Sequence, residues 1–190
     1  MCSRNILSVG LTAILSLGCG NLWAGEAIDR QEPIHGYGIG RAASEQELQA
    51  WNIDIAPTGE GLPPGQGTVQ EGALLFTARC AACHGPTGQE GPMDRLVGGV
   101  GTLASQQPIK TIGSYWPYAT TLYDYIHRAM PFSAPQSLSP NELYSIVAWL
   151  LYQNGIIAKD LVLNAQSLPA ISMPNRQGFV QDPRPDVPKP

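Results

Sequence analysis

The chain has 190 residues, which predicts one domain with extensions. Its formal net charge is −4, and this makes nucleic acid an unexpected partner, because binding to a phosphate backbone requires a basic surface. Glycine and proline are abundant, at 21 and 17 residues, and they predict irregular backbone around a small core rather than a protein of long helices.

The N-terminus has the pattern of a secretory signal peptide. Arg4 gives a positive start, residues 6–17 are mostly apolar but too few to span a bilayer, and Ala24 is a small residue suited to cleavage. We therefore predict a signal peptide over residues 1–24 and a periplasmic location. Cys19 leaves a lipoprotein anchor as an alternative. No later segment is long and apolar enough to cross a membrane.

Residues 25–67 show little periodicity and are predicted to form an arm laid on the core. Ser44 followed by Glu47 is a capping box, so one short helix is expected within the arm. The core begins at Thr68, which forms a second capping box with Glu71. Small and apolar residues then recur at helical spacing, at Val69, Gly72, Ala73, Phe76 and Cys80.

A glycine-rich loop and a second helix follow. Residues 85–102 form the loop by composition. The second helix is predicted over residues 120–129, with Thr121 and Asp124 as its start signal. Pro131 ends it, because proline cannot continue the hydrogen-bond ladder of a helix.

The third helix has the strongest local signals. Ser139 is its predicted N-cap, Pro140 occupies the first helical position, and Glu142 completes a capping box. Asn154 and Gly155 supply the stop signal. The apolar stripe of this helix is Leu143, Ile146, Val147, Leu150 and Leu151.

Four segments follow from this pass along the chain. They are a signal peptide over residues 1–24, an N-terminal arm over 25–67, a core domain over 68–157 and an extended tail over 158–190. The tail is assigned because proline recurs there and no periodic pattern survives.

The sequence Cys80-Ala-Ala-Cys83-His84 carries the chemistry. Two cysteines three residues apart, followed at once by histidine, form the attachment sequence of c-type haem. On a helix the cysteines share one face, so both sulfurs can form thioethers along one edge of a porphyrin. His84 lies on the same side, where its imidazole can bind iron as the proximal ligand. The motif predicts one covalent haem c, and export agrees with it because bacterial haem attachment is extracytoplasmic.

A Cys-x-x-Cys pair also occurs in zinc sites and redox dithiols. A structural zinc site needs about four protein ligands, and the sequence offers no second cysteine pair of this kind. A thioredoxin-like dithiol needs a βαβ context, which the sequence does not predict. Haem attachment is therefore the favoured interpretation.

Met130 is the predicted sixth ligand of the iron. A thioether opposite His84 would give His/Met iron, which has a raised reduction potential and suits electron transfer. A core methionine is the ordinary alternative for such a residue. The other candidate axial donors are Met93, Met173, His35 and His127.

Other groups are candidates for contacts around the porphyrin. The carbonyl of Pro92 could accept the second N–H of His84 and fix its tautomer. Arg95 could pair with a propionate, although a solvated loop charge is the alternative. Tyr115, Trp116 and Tyr118 could donate to propionates or simply pack together. No acid–base pair can be placed near the iron, so we expect no catalysis by this chain alone.

The arrangement resembles a class I cytochrome c. Gly72 and Phe76 in the first core helix and Trp149 in the last look like that family's crossing of first and last helices. Longer motifs narrow the resemblance to the cytochrome subunit of the sulfite/sulfane dehydrogenase family, the SoxD-type cytochromes of bacterial sulfur oxidation. These motifs span residues 51–54, 61–65, 95–99, 113–121, 128–132, 134–137 and 173–176.

The resemblance implies an all-α class I cytochrome c fold, with three to five helices around one haem c. It implies that Cys80 and Cys83 attach the haem and that His84 and Met130 are its axial ligands. It also implies a molybdenum-containing partner subunit that oxidises a sulfur compound. Some family members carry two haem domains, whereas this sequence has one haem motif.

We therefore expect a periplasmic cytochrome that transfers single electrons from a molybdenum-dependent sulfite or sulfur-compound dehydrogenase to a downstream cytochrome or oxidase. A freestanding shuttle between respiratory complexes is the alternative. A haem enzyme acting on peroxide or thiosulfate would need an open position on the iron.

Overall fold

Five helices and one two-stranded ladder form the part of the chain that the computed structural model describes, residues 39–186. The predicted signal peptide, Cys19 and His35 lie outside this range. The helices are α1 Glu45–Trp51, α2 Val69–Arg79, α3 Ala81–His84, α4 Ala119–Ala129 and α5 Pro140–Gln153. The strands are β1 Gln66–Gly67 and β2 Leu163–Asn164, which pair antiparallel.

Three helices begin at the capping boxes that the sequence predicts. In each box the N-cap hydroxyl accepts the N–H of the third helical residue, whose carboxylate accepts the N–H of the N-cap residue. This satisfies backbone donors that have no partner within the helix. The pairs are Ser44–Glu47, Thr68–Glu71 and Ser139–Glu142.

The predicted start of α4 is wrong in its detail. The helix begins at Ala119, and its N-cap, Tyr118, makes no side-chain capping bond. Asp124 is not part of a start signal, because its carboxylate accepts the N–H of Ile55 at 2.9 Å and pairs with Arg128. The Asp124 carboxylate, which local spacing assigns to the start of α4, instead bonds to Ile55, a residue distant in sequence.

The crossing of α2 over α5 is the centre of the fold, as the sequence predicts. A Cβ atom at Gly72 would collide with the carbonyl oxygen of Ser145, so glycine lets the two backbones approach closely. One turn later the rings of Phe76 and Trp149 stack, with centroids 4.0 Å apart. Helix α5 is buried continuously from Leu143 to Leu151. This close contact explains why glycine occupies position 72, although glycine is less favourable than alanine inside a helix.

Segments on both sides of the helices complete the core. From the arm, Ile55 is buried, and β1 lies against α5, where the N–H of Gln66 donates to Asn141 Oδ1 at 2.9 Å. From the predicted tail, Leu163, Leu168 and Met173 are buried in the same cluster, as is Ile157 at the end of the predicted core domain. Helix α1, in contrast, contributes no buried residue.

Within residues 39–186, no helix combines the length and the apolar character that a membrane crossing requires.

Candidate haem site

The Cys-x-x-Cys-His motif does not lie on one continuous helix, because α2 ends at Cys80 and the other four residues of the motif form the short helix α3. Cys80 ends α2 and donates its N–H to Phe76, while its own carbonyl accepts the N–H groups of both Cys83 and His84, at 3.1 and 3.0 Å. Both cysteines are free thiols. Cys80 is half-buried, and burial raises the pKa of its thiol to about 11, although the charge of Arg79 opposes the shift. Cys83 is exposed.

His84 is held by a backbone carbonyl. Its Nδ1 lies 2.9 Å from the carbonyl oxygen of Asp94, so Nδ1 carries the proton and donates it. The other ring nitrogen, Nε2, keeps its lone pair for a metal. The prediction that Pro92 supplies this carbonyl is wrong by two residues. The N–H of Met93 donates to the carbonyl of Cys83 at 3.0 Å. The first carbonyl to reach the imidazole of His84 is therefore that of the next residue, Asp94.

The proximal loop, residues 85–98, packs closely against the motif. A Cβ atom at Gly91 would collide with the carbonyl oxygen of Cys83. Further along, Leu96 and Val97 both donate their N–H groups to the carbonyl of Gly88, at 2.8 and 3.2 Å. These bonds join the end of the loop to its beginning, and the close contact at Gly91 holds the loop against the motif.

Met130 lies at the end of α4, half-buried, with its N–H bonded to the carbonyl of Ile126 at 3.0 Å. The rival sulfur donors are placed differently. Met93 lies on the proximal loop beside His84 and is 58 % exposed, and Met173 is a core residue. Of these three methionines, Met130 is therefore the one that lies on an element other than the proximal loop and is only partly buried.

The donor set fits haem c. It comprises two free thiols, an imidazole whose Nδ1–H is already bonded and a half-buried thioether. Helix α4 also carries, on the turns before Met130, two buried polar atoms without a hydrogen-bond partner, the Tyr123 hydroxyl and His127 Nδ1. Buried polar atoms usually bond to a bound group or an ordered water. No group of three His, Cys, Asp or Glu side chains within 39–186 is placed to hold a metal ion.

The predicted aromatic cluster is held by the tail. Arg176 lies over the ring of Tyr118, 4.0 Å from its centroid, and Phe179 packs edge-on against Tyr115. Trp116 packs edge-on against Tyr125 of α4. These rings therefore have packing partners in the protein itself. Arg95 is an exposed loop residue.

Two contacts of the site have no signal in the sequence. Asp94 acts through its backbone carbonyl, and a carbonyl is common to every residue type, so no pattern of side chains identifies it. Asn154 has a signal for ending α5, but its side chain also bonds to the proximal loop at Leu96 and Gly98.

Comparison with known proteins agrees with this geometry. The family model described as "Cytochrome C oxidase, cbb3-type, subunit III" matches residues 67–150. A chain of the crystal structure of the sulfane dehydrogenase SoxCD from Paracoccus pantotrophus is 45 % identical and superposes with a TM-score of 0.72. The match covers 80 % of this chain and 75 % of that chain. None of the curated proteins matches. The chain therefore belongs to the class I cytochromes c of the sulfite/sulfane dehydrogenase (SoxD-type) family, electron-transfer proteins tied to sulfur oxidation that use haem c.

Proposed function

We propose that this protein is the electron-accepting subunit of a molybdenum-dependent dehydrogenase for sulfite or another sulfur compound. It would receive single electrons in the periplasm and pass them to a downstream cytochrome or oxidase. The observation that carries the proposal is the similarity to a chain of a sulfane dehydrogenase, at 45 % identity over 80 % of this chain.

Four side chains would hold a single haem c. Cys80 and Cys83 would attach it, and His84 and Met130 would be its axial ligands. When bound, the group supplies an iron that alternates between the ferric and ferrous states, one electron at a time. The carbonyl of Asp94, 2.9 Å from Nδ1, keeps the imidazole of His84 in one tautomer and one orientation.

Binding of Met130 to the iron would favour electron transfer over catalysis at the metal. A thioether bound at the sixth position keeps small molecules away from the iron and raises its reduction potential. Both effects suit a relay rather than an enzyme that binds substrate at the metal. Oxidation of the sulfur compound would then belong to the partner subunit.

The location and the partner are supported by independent features. The predicted signal peptide over residues 1–24 supports export, and covalent haem attachment requires an extracytoplasmic setting. The similar crystal structure is that of a dehydrogenase named for two Sox components, which supports a complex with a molybdenum subunit.

The proposal is tested by coexpressing this chain with the molybdenum subunit from the same organism. Rapid-mixing absorbance spectroscopy would follow the haem after sulfite or a sulfane-sulfur compound is added. We expect reduction only when the active subunit is present, and none with the same subunit prepared free of molybdenum.

An active, matched subunit that oxidises its substrate without reducing this haem would overturn the proposal. Fast oxidation of the reduced protein by a terminal oxidase, together with indifference to the dehydrogenase, would support the freestanding shuttle instead.

A further inference from the structure

Asn154 does more than end a helix. It follows the last residue of α5, and its side-chain amide bonds in three directions. Oδ1 accepts the N–H of Gly98 at 3.0 Å, while Nδ2 donates to the carbonyls of Leu96 at 3.3 Å and Leu150 at 2.9 Å. One planar amide therefore ties the end of α5 to two residues of the proximal loop.

The pocket for this amide is matched to asparagine. A Cβ atom at Gly113 would collide with Oδ1 and lie 2.7 Å from Cγ of Asn154, so glycine makes room for the side chain. Aspartate would lose the donated bonds, and glutamine is one methylene too long for the space. The residues before Gly113 hold the same loop, because Ile112 donates to the carbonyl of Leu96 and Thr111 to that of Gly98.

The loop transmits this restraint to His84. Asp94, whose carbonyl accepts the Nδ1–H of His84, lies between two anchored residues. On one side Met93 is bonded to Cys83, and on the other Leu96 is bonded both to Gly88 and to Asn154. A shift of Leu96 would therefore move the short segment, between Met93 and Leu96, that carries the carbonyl of Asp94.

We infer that Asn154 is a positioning residue for the axial ligand. By fixing Leu96 and Gly98 it holds the Asp94 carbonyl against His84, and this contact tunes the reduction potential of the haem. A strong bond from Nδ1–H makes the imidazole a better donor and favours ferric iron. Weakening the bond therefore raises the potential. The inference rests on the proposed attachment of haem through His84, and not on the identity of the electron donor.

The experiment compares holoprotein variants at the two ends of one helix. Asn154→Ala removes the three bonds, and Asn154→Leu keeps the branched outline of the side chain without them. Asn141→Ala is the matched control, because Asn141 also bonds a backbone N–H, that of Gln66 at 2.9 Å, near the start of α5. The readouts are the midpoint potential and the hydrogen-exchange rate of the His84 Nδ1 proton, measured by NMR in the ferrous protein.

We expect a higher potential in both Asn154 variants and exchange of the Nδ1 proton that is about tenfold faster, as the loss of anchoring bonds predicts. Asn141→Ala is expected to lower the melting temperature without moving either readout. Gly113→Ala provides an independent route, because its methyl group displaces the Asn154 amide while leaving it chemically intact. It should change both readouts in the same direction.

Unchanged potential and exchange in the Asn154 and Gly113 variants, with lower melting temperatures alone, would overturn the inference and leave Asn154 a structural residue. A parent protein that carries His-ligated haem but is not reduced by the dehydrogenase would overturn the proposed function instead. The response to Asn154 substitutions in such a protein would still decide the role of this residue.

Discussion

The choice of the predicted axial methionine shows how residues of one type can be distinguished by their surroundings. Three methionines were candidates for the sixth ligand, and their environments differ more than their sequence contexts do. Met130 ends a helix and is half-buried, Met93 lies on the loop that holds His84, and Met173 is buried in the core. The sequence could rank them only by spacing, whereas the structure separates them by the element that carries each.

Replacing Met130 with alanine should open the sixth position of the haem iron. The ferrous protein should then bind carbon monoxide, and its reduction potential should fall, because the thioether that favours ferrous iron is gone. Met93→Ala is the control and should leave both properties unchanged. Absorbance spectra under carbon monoxide and a redox titration measure the two effects. Opening of the iron by the Met93 substitution instead would show that the ligand has been assigned to the wrong methionine.

Asp124 joins the arm to α4 through its bond to the N–H of Ile55, and we expect this contact to depend on pH. Burial acts to raise the pKa of this carboxyl group, but bonds from Arg128 and from the N–H of Ile55 outweigh it, so the pKa lies below its ordinary value. Because the folded-state pKa is depressed, the stabilisation is fully present above the unfolded-state value of about 3.9. It is lost as the pH falls through the folded-state pKa.

Asp124→Asn should therefore lower the free energy of unfolding by about 2 kcal/mol at neutral pH, the usual size for a charged hydrogen bond. The difference from the parent should shrink as the pH falls below about 4, because the unfolded parent then binds a proton at Asp124, and it should vanish once the pH lies below the depressed folded-state pKa. Urea denaturation at a series of pH values measures this. Asp182→Asn, which breaks the exposed pair with Arg184, is the control and should have no measurable effect. A pH-independent loss would show that Asp124 acts by shape and not by charge.

At the scale of elements, local sequence signals predict some helix boundaries, whereas others are set by tertiary contacts that the sequence does not reveal. The capping boxes and the apolar stripe of α5 predict three helices well, because those signals lie within a few residues of the helix that they define. The break between α2 and α3 at Cys80, the start of α4 and the carbonyl of Asp94 were not predicted. Each of these depends on a backbone bond or a distant partner, which composition and spacing do not contain.

Gly72→Ala tests the crossing of α2 over α5. Alanine would favour an isolated helix by about 1 kcal/mol, so a stabilised protein is the outcome expected from propensity alone. The structure predicts the opposite sign, because the new methyl group meets the Ser145 carbonyl, and overpacking costs about 1–3 kcal/mol. Leu74→Ala, at an exposed position of the same helix, should change stability by less than about 0.5 kcal/mol. Chemical denaturation of the three holoproteins distinguishes these predictions, and a stabilised Gly72→Ala protein would contradict a close crossing.

At the scale of the whole molecule, the tail packs into the core of the haem domain. Its sequence has no periodicity, and nothing in it predicts a helix or a long strand. Periodicity, however, detects only regular elements, and a segment can also be buried through single side chains that reach the core from irregular backbone. Leu168 does this and is fully buried, as is Leu163 of the two-residue strand β2, and Asn175 donates to the carbonyl of Tyr115 at 2.7 Å.

The tail should therefore be required for stability and not only for partner binding. Leu168→Ala should cost about 3 kcal/mol in the free energy of unfolding, the usual loss for a buried leucine whose cavity does not collapse. Val162→Ala, nearby but 39 % exposed, should cost far less. A chain ending at Ile157 loses the whole set of buried tail residues along with β2, so we expect it to unfold at a much lower denaturant concentration or to lose its haem. Denaturation followed by circular dichroism and by the haem absorbance measures both. A truncated chain as stable as the parent would mean that these side chains add nothing to the core, and the segment would then be free to serve the partner alone.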